Sequence, residues 1–321
     1  MRKLVFCTQK LDPGDPVLAA TVPMVRALAT RVDELVVLCD TAATELDGVR
    51  VHEFGAPTQA QRGAKFVAAL AREARCDGVV AHMVPLYAVL AAPLVRPRRI
   101  PLVLWYTHWK AHAVVRAAER VCTAIATVDA RSFPLRSRKV HALGHGIDVG
   151  EFACTEAPAM PLRALVLGRY SPAKGLETIL AAADRAGVHV EAHGSDETFE
   201  AYRRDLQREF PDAELAGPVP RADVPALFAR SHVLVNNMRA GAPDKVVYEA
   251  AASCLPVLAS NPVFDDLLPP ELRFERTDAD GLAELLRTLD PRRRPELREI
   301  VERRHSVEHW ADGLLATVTG R

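Results

Sequence analysis

The stretch Gly168-Arg169-Tyr170-Ser171-Pro172-Ala173-Lys174-Gly175-Leu176-Glu177 follows the apolar run Leu162–Leu167 and leads into the helical pattern Leu176–Ala186. A strand is therefore expected to end in a tight glycine turn, with a helix starting just beyond it. Arg169 and Lys174 fall at the mouth of that helix, where unpaired N–H groups and the helix dipole favour an anion. Such a turn suits a diphosphate. The plainer reading is a strand–helix loop carrying two solvated cations.

Working outward, the same alternation fills the chain. Upstream, strand patterns at Leu4–Cys7, Glu34–Cys39, Val51–Phe54, Gly78–His82, Pro101–Tyr106, Ile125–Val128 and Lys139–Leu143 are separated by helical patterns at Val17–Thr30, Gln59–Arg75, Leu86–Val95 and Ala113–Ala124. Downstream, strands at Ala164–Leu167, His189–His193, Ala213–Leu215, Val233–Asn236 and Pro256–Ser260 alternate with helices at Leu176–Ala186, Glu197–Glu209, Ala222–Ser231 and Lys245–Cys254. Helices Ala279–Leu289 and Pro295–Thr319 close the chain. Strands alternating with helices imply βαβ units and parallel sheets with right-handed crossovers. The segment His145–Pro161, with its glycines and prolines, interrupts the pattern, and Gly150–Pro161 reads as a linker. The fold class is α/β, with two Rossmann-like halves. In open parallel sheets ligands bind beyond the carboxyl ends of the strands, so two facing halves would present a ligand on each wall of a cleft.

The length of 321 residues fits two cores better than one. Hydrophobic residues make up 49% and charged residues 26%, as in an ordinary globular protein. Basic and acidic residues balance at 41 each, which gives no reason to expect a nucleic-acid partner. Local basic clusters at Arg96–Arg99, Arg136–Lys139 and Arg292–Arg294 read mainly as solvated surface, and any membrane contact is expected to be peripheral. The six cysteines are scattered, with no Cys-x-x-Cys pair, which argues for a reducing, cytoplasmic setting and against a zinc site. The apolar stretch from Gly78 to Val95 is broken by His82, Pro85 and Pro93 and reads as strand, turn and buried helix, and no signal-peptide pattern precedes the first strand.

The second half resembles the nucleotide-sugar domain of retaining glycosyltransferases of the GT-B fold, in particular glycosyltransferase family 4. The resemblance rests, in order, on Gly168-Arg169…Lys174-Gly175, His193-Gly194-Ser195, Leu215-Ala216-Gly217-Pro218-Val219, and Asp244-Lys245-Val246-Val247-Tyr248-Glu249-Ala250 with Pro256-Val257 after it. His145-Gly146-Ile147-Asp148…Phe152 resembles the family's end-of-first-domain signature, and Trp310 its closing helix. The resemblance implies an acceptor-binding domain over 1–150, a nucleotide-sugar domain over 151–305, and a helix over 306–321 that crosses back to the first domain.

It also implies roles. Arg169 and Lys174 would hold the diphosphate beside Gly168 and balance charge growing on the leaving group, so that no metal or other cofactor is needed. Glu249 would accept hydrogen bonds from ribose hydroxyls, and Gly217 and Val219 would seat the base, UDP- or GDP-linked. Gly194 would line the same donor site. His108, after strand Pro101–Tyr106, would face the donor sugar. The family's Glu, seven residues, Glu pattern is altered: counting back from Glu249, the first position is Gly241. Asp244 lies three residues on, where helix N-cap is its simplest role, and Lys245 at the helix start suits either a phosphate contact or a plain surface position. In the first half Gly14 replaces the paired glycines of relatives, and Asp12, Asp15, His82, Trp105 and Trp109 are acceptor-side candidates, although Asp12 and Asp15 also suit helix capping and the aromatic residues also suit packing.

The expected activity is transfer of a sugar, with retention, from a nucleoside-diphosphate sugar to an acceptor hydroxyl on a natural product, glycolipid or envelope glycan precursor. Two alternatives stand beside it. One is a non-catalytic nucleotide-sugar sensor or scaffold. The other is a nicotinamide-dependent enzyme, against which stands the lack of Gly-x-Gly-x-x-Gly after either first strand. The oligomeric state is not indicated.

Overall fold

The short apolar runs become parallel strands, because residues buried on both faces of a sheet must be apolar throughout. The computed structural model describes residues 1–15 and 18–320. Pro16, Val17 and Arg321 lie outside the described residues, and with them the expected helix start at Val17. The chain divides into two compact units, Met1–Asp148 with Arg304–Arg321, and Val149–Arg303.

Unit 1 runs β1 (Lys3–Leu11), α1 (Thr21–Ala29), β2 (Glu34–Ala42), β3 (Val49–Glu53), α2 (Gln59–Glu73), β4 (Gly78–His82), α3 (Pro85–Val95), β5 (Leu102–Trp105), α4 (Ala113–Val121), β6 (Ala124–Thr127) and β7 (Val140–Ala142). Its seven strands lie in the order β3-β2-β1-β4-β5-β6-β7, paired in parallel, so the order reverses between β1 and β4. One face of the sheet packs Val5, Val36, Val79 and Leu104 against α2 and α3, with Phe66 and Tyr87 stacked at 4.7 Å. Burying each such large side chain contributes roughly 1.5–3 kcal/mol.

Unit 2 runs β8 (Arg163–Leu167), α5 (Leu176–Ala186), β9 (His189–His193), α6 (Glu200–Glu209), β10 (Glu214–Ala216), α7 (Val224–Arg230), β11 (Val233–Asn236), α8 (Lys245–Ala252), β12 (Val257–Ala259), α9 (Ala279–Thr288) and α10 (Pro295–Arg304). Five parallel strands lie in the order β10-β9-β8-β11-β12. Helix α8 is buried from Val246 to Ala252, as its nearly unbroken apolar sequence requires. Cys154 and Cys254 form a disulfide, Cα to Cα 5.2 Å, which corrects the reading of all six cysteines as scattered thiols; Cys7, Cys39, Cys76 and Cys122 are free.

The last helix, α11 (Val307–Thr319), joins unit 1 and packs on α1, β4, β5 and β6. Trp310 on α11 is fully buried, edge-on to Trp105 at 5.6 Å and to Phe6 at 6.5 Å. The single helix expected over Pro295–Thr319 is in fact two. The break at His305-Ser306 exists because the backbone there pairs with Ile147: Ile147 N donates to His305 O at 2.7 Å, and Val307 N to Ile147 O at 2.8 Å. Ser306 then restarts the helix, its hydroxyl accepting from His309 N at 3.2 Å. No helix among the described residues is long and apolar enough to cross a membrane.

Candidate functional site

At the carboxyl end of β8, Gly168 sits at φ +133°, and a Cβ there would overlap the Lys174 ammonium. At the end of β9, a Cβ on Gly194 would overlap the Gly168 carbonyl oxygen. These two glycines therefore let two strand ends and a lysine head close on one another. Pro172–Lys174 makes one 3-10 turn before α5 begins after Gly175. Lys174 is buried, at 9% exposure, and its Nζ ion-pairs with Asp244 and lies 3.4 Å from Leu167 O. Arg169 is exposed and forms no ion pair among the described residues. Of the two expected diphosphate cations, one is thus held by a carboxylate and one is open.

Several residues that the sequence did not single out hold this turn. Asn236 Nδ2 donates to Asp244 Oδ2 at 2.7 Å. Asn237 Nδ2 donates to Gly175 O at 2.9 Å, and Arg276 donates to the carbonyls of Asn237 and, at 3.1 Å, of Pro172. The only trace of them in the sequence is an Asn-Asn pair closing an apolar strand, which ordinary strand–loop boundaries also show.

The first turn of α8 lies beside it. Asp244 occupies the N-cap position, but its side chain makes no capping bond, contrary to the simplest expectation. The buried ammonium of Lys174 is the stronger partner: a charge pair at low dielectric outweighs a single bond to a helix N–H. Gly241, where the pattern lacks its first carboxylate, is at φ +80° in the preceding turn. Lys245 opens α8, and Glu249 follows at i+4, with Nζ 3.6 Å from Glu249 Oε1. Glu249 is buried, at 4% exposure, and its Oε1 also takes a bond from Arg221 Nη1. Arg221 Nη2 donates to Glu151 Oε2 at 2.6 Å, and its guanidinium carbon stands 5.1 Å from the Phe152 ring centre. Burial works against the Arg221 charge, but Glu249 and Glu151 outweigh it and raise its pKa. Burial lowers the pKa of Lys245, with Glu249 opposing and Arg221 adding to the shift.

The remaining donor-side candidates are turns. Gly217 is exposed and Val219 half-buried after β10, and His193 Nδ1 lies 3.4 Å from Gly217 O. Gly168, Lys174, Gly194, Asp244, Lys245 and Glu249 are all carried by strand ends and helix starts of unit 2. Among the described residues no three His, Cys, Asp or Glu side chains gather as a metal set.

Unit 1 places its candidates differently. His108 follows β5, its Nδ1 accepting from Lys110 N at 3.0 Å and its ring stacked on Trp109 at 5.5 Å. His82 closes β4 and is buried, with Nδ1 3.1 Å from Thr8 Oγ1 and the ring 5.3 Å from Phe6. Trp105 is 1% exposed and packs on Trp310, so it belongs to the core and has no face left for an acceptor. Asp12 Oδ1 accepts from Gly14 N at 2.8 Å, closing a local turn. Asp15 is buried, accepting from Leu18 N at 2.8 Å and pairing with Lys10 at 2.8 Å.

Residues 171–316 match the family model described as glycosyl transferase-like. No curated protein matches the sequence. Among solved structures, Anabaena HepE in complex with UDP and glucose is similar at a TM-score of 0.78 and 16% identity, covering 100% of both chains. Sucrose-phosphate synthase from Thermosynechococcus elongatus gives 0.76 at 16% identity, over 100% of this chain and 99% of that one. AviGT4, a glycosyltransferase involved in avilamycin A biosynthesis, gives 0.73 at 16% identity, again over 100% and 99%.

Proposed function

We propose, starting from a chain that carries a glycosyltransferase domain in the two-sheet GT-B fold, that it moves a sugar from a nucleoside-diphosphate donor to an acceptor hydroxyl with retention and without a metal. What supports the reading is the donor wall of unit 2. A buried lysine at a double glycine turn pairs with Asp244 just before α8, and the first turns of α8 carry the buried Glu249. UDP is the nucleotide to test first, since Anabaena HepE holds it. Arg169 and Lys174 take the diphosphate, Lys245 a neighbouring phosphate oxygen, Glu249 the ribose, and the Gly217–Val219 turn the base. With Gly241 in place of the first carboxylate, Asp244 is the nearest acidic group for the sugar. Unit 1 takes the acceptor, a natural product, glycolipid or envelope glycan precursor, with Asp12, Asp15, His82 and Trp109 on that side, and His108 serves the reacting sugar.

Asp244 is already engaged by Lys174 and Asn236, which favours a same-face displacement over a covalent intermediate on that carboxylate. The bond from the sugar anomeric carbon to the phosphate oxygen breaks, the acceptor oxygen bonds to that carbon from the same side, and the acceptor proton passes to the leaving phosphate. The free cysteines support a reducing, cytoplasmic setting for this chemistry, while the Cys154–Cys254 bond pulls the other way.

A panel of UDP-, GDP- and dTDP-sugars read by thermal shift and by product release tests the proposal. One nucleotide family is expected to stabilise the protein and to be hydrolysed slowly without acceptor. His108→Ala is expected to keep donor binding and lose at least about tenfold in turnover, of the order that one charged or proton-handling group supplies. Neither binding nor hydrolysis with any donor would sink the reading. Binding without turnover under acceptor screening would replace it by a nucleotide-sugar sensor.

A further inference from the structure

We propose that Arg221 is the positioning residue that aims Glu249 at the donor ribose, and thereby sets the preference for ribonucleotides over their 2′-deoxy forms. The proposal rests on the donor-site reading of unit 2 given above. Arg221 lies in the short turn that follows the Gly217–Val219 loop, outside every motif that marks the site in the sequence. Its guanidinium is nevertheless fixed on three sides: Nη1 on Glu249 Oε1, Nη2 on Glu151 Oε2 at 2.6 Å, and Phe152 5.1 Å beneath it.

The geometry leaves the other carboxylate oxygen to a ligand. Arg221 and Lys245 both engage Oε1, and Oε2 bonds to no described residue. Oε2 keeps a small exposed area although the residue as a whole is buried. A glutamate at the fifth position of α8 has three side-chain torsions to hold, and a carboxylate that reads two neighbouring hydroxyls must keep its plane. Two cations pulling on one oxygen supply that orientation. They also stand against the two carboxylates, Glu249 and Glu151, within one cluster. The planar fork sends separate nitrogens to Glu249 and Glu151 in a fixed geometry, which the single nitrogen of a lysine does not reproduce.

The far anchor is held as well. Arg298 Nη1 donates to the carbonyls of Phe152 and, at 2.6 Å, of Ala252, and the Cys154–Cys254 bond ties the same segment to the chain just beyond α8. Glu151 therefore presents a fixed partner, and Arg221 cannot swing toward the ligand space without abandoning it. A site built around a hydroxyl rejects the analogue that lacks it, because its polar group is left unpaired. Loosening Glu249 removes that rejection before it removes binding.

Titration calorimetry on the full chain with UDP, GDP and their 2′-deoxy forms reads this directly. The natural protein is expected to prefer the ribonucleotide by about tenfold or more, the worth of one charge-assisted hydrogen bond. Arg221→Met is expected to lower ribonucleotide affinity by about that factor and leave the 2′-deoxy affinity within about twofold, so the ratio falls toward one. Arg221→Lys should lose the ratio too, and Glu151→Gln, which leaves the Glu249 contact in place, should lower it by less. Circular dichroism melts accompany each variant, and the two milder ones keep the test open if Arg221→Met fails to fold. Variants that retain the natural ratio, or an Arg221→Met that binds the ribonucleotide more tightly because the guanidinium had been in the way, overturn the proposal and leave the donor site standing. A natural protein that binds nucleotide without discriminating the 2′-hydroxyl overturns it too, and one that binds none removes the donor-site reading along with it.

Discussion

An ammonium as buried as that of Lys174 needs a counter-charge, and Asp244 supplies it under the support of Asn236. Removing either partner strands the other, which typically costs about 3–5 kcal/mol, while removing both costs less than the sum. Lys174→Met and Asp244→Asn are therefore expected each to lower the thermal midpoint, with a coupling of roughly 1–3 kcal/mol in the double variant. Additive melts would show that the pair is incidental. On the proposed donor-site reading, Lys174→Met should also weaken UDP binding, which calorimetry would show. The site was only partly legible at this scale. Gly168 and Lys174 stand out at a strand–turn–helix junction, and Glu249 through its resemblance to the glycosyltransferase pattern. Arg221, Asn236 and Arg276 meet their partners across 28, 8 and 39 positions of sequence or more, where no local pattern can carry the signal. Asp244 was misread for the same reason: its competitor for the helix cap was Lys174, 70 residues away.

The strands and helices were far easier to read. Gly78–His82, Leu176–Ala186, His189–His193 and Val233–Asn236 begin and end where apolar period and flanking turn residues put them. Other ends shift by a few residues, as at β1 and α6, but the closing helix departs in kind: its residues keep helical periodicity through His305-Ser306, so the break set by Ile147 leaves no mark in the local pattern. The Cys154–Cys254 bond is invisible in the same way, since its ends are 100 residues apart. It fastens the segment before β8 to the end of α8. On a loop-entropy model a closure of that length contributes up to about 4.7 kcal/mol, and typical measured values are nearer 2–4. Dithiothreitol is expected to lower the melting point of the natural protein by several degrees and to leave a Cys154→Ser/Cys254→Ser variant unmoved. Equal melting points with and without reductant would show that the bond contributes nothing.

At the scale of the molecule, the two sheets are closed in different ways. Unit 2 is one continuous stretch, Val149–Arg303, and its opening residues are tied to its closing ones by Arg298 on Phe152 and Ala252 and by Arg293 on Thr155 at 3.1 Å. Unit 1 is split, and its halves are rejoined by the pairing of Ile147 with His305 and Val307 and by Trp310 in the core. Residues 149–303 expressed alone are thus expected to fold cooperatively and to bind UDP, as judged by a single melting transition and calorimetry, whereas residues 1–148 alone should not. A molten 149–303, or a cooperative 1–148, would contradict this. Because Ile147 and Ser306 are already bridged, unit 2 is in effect a cassette inserted between two neighbouring positions of its host. A chain organised in this way can exchange the whole of unit 2 by replacing one uninterrupted gene segment, while the host sheet and the helix that completes it keep their own sequence.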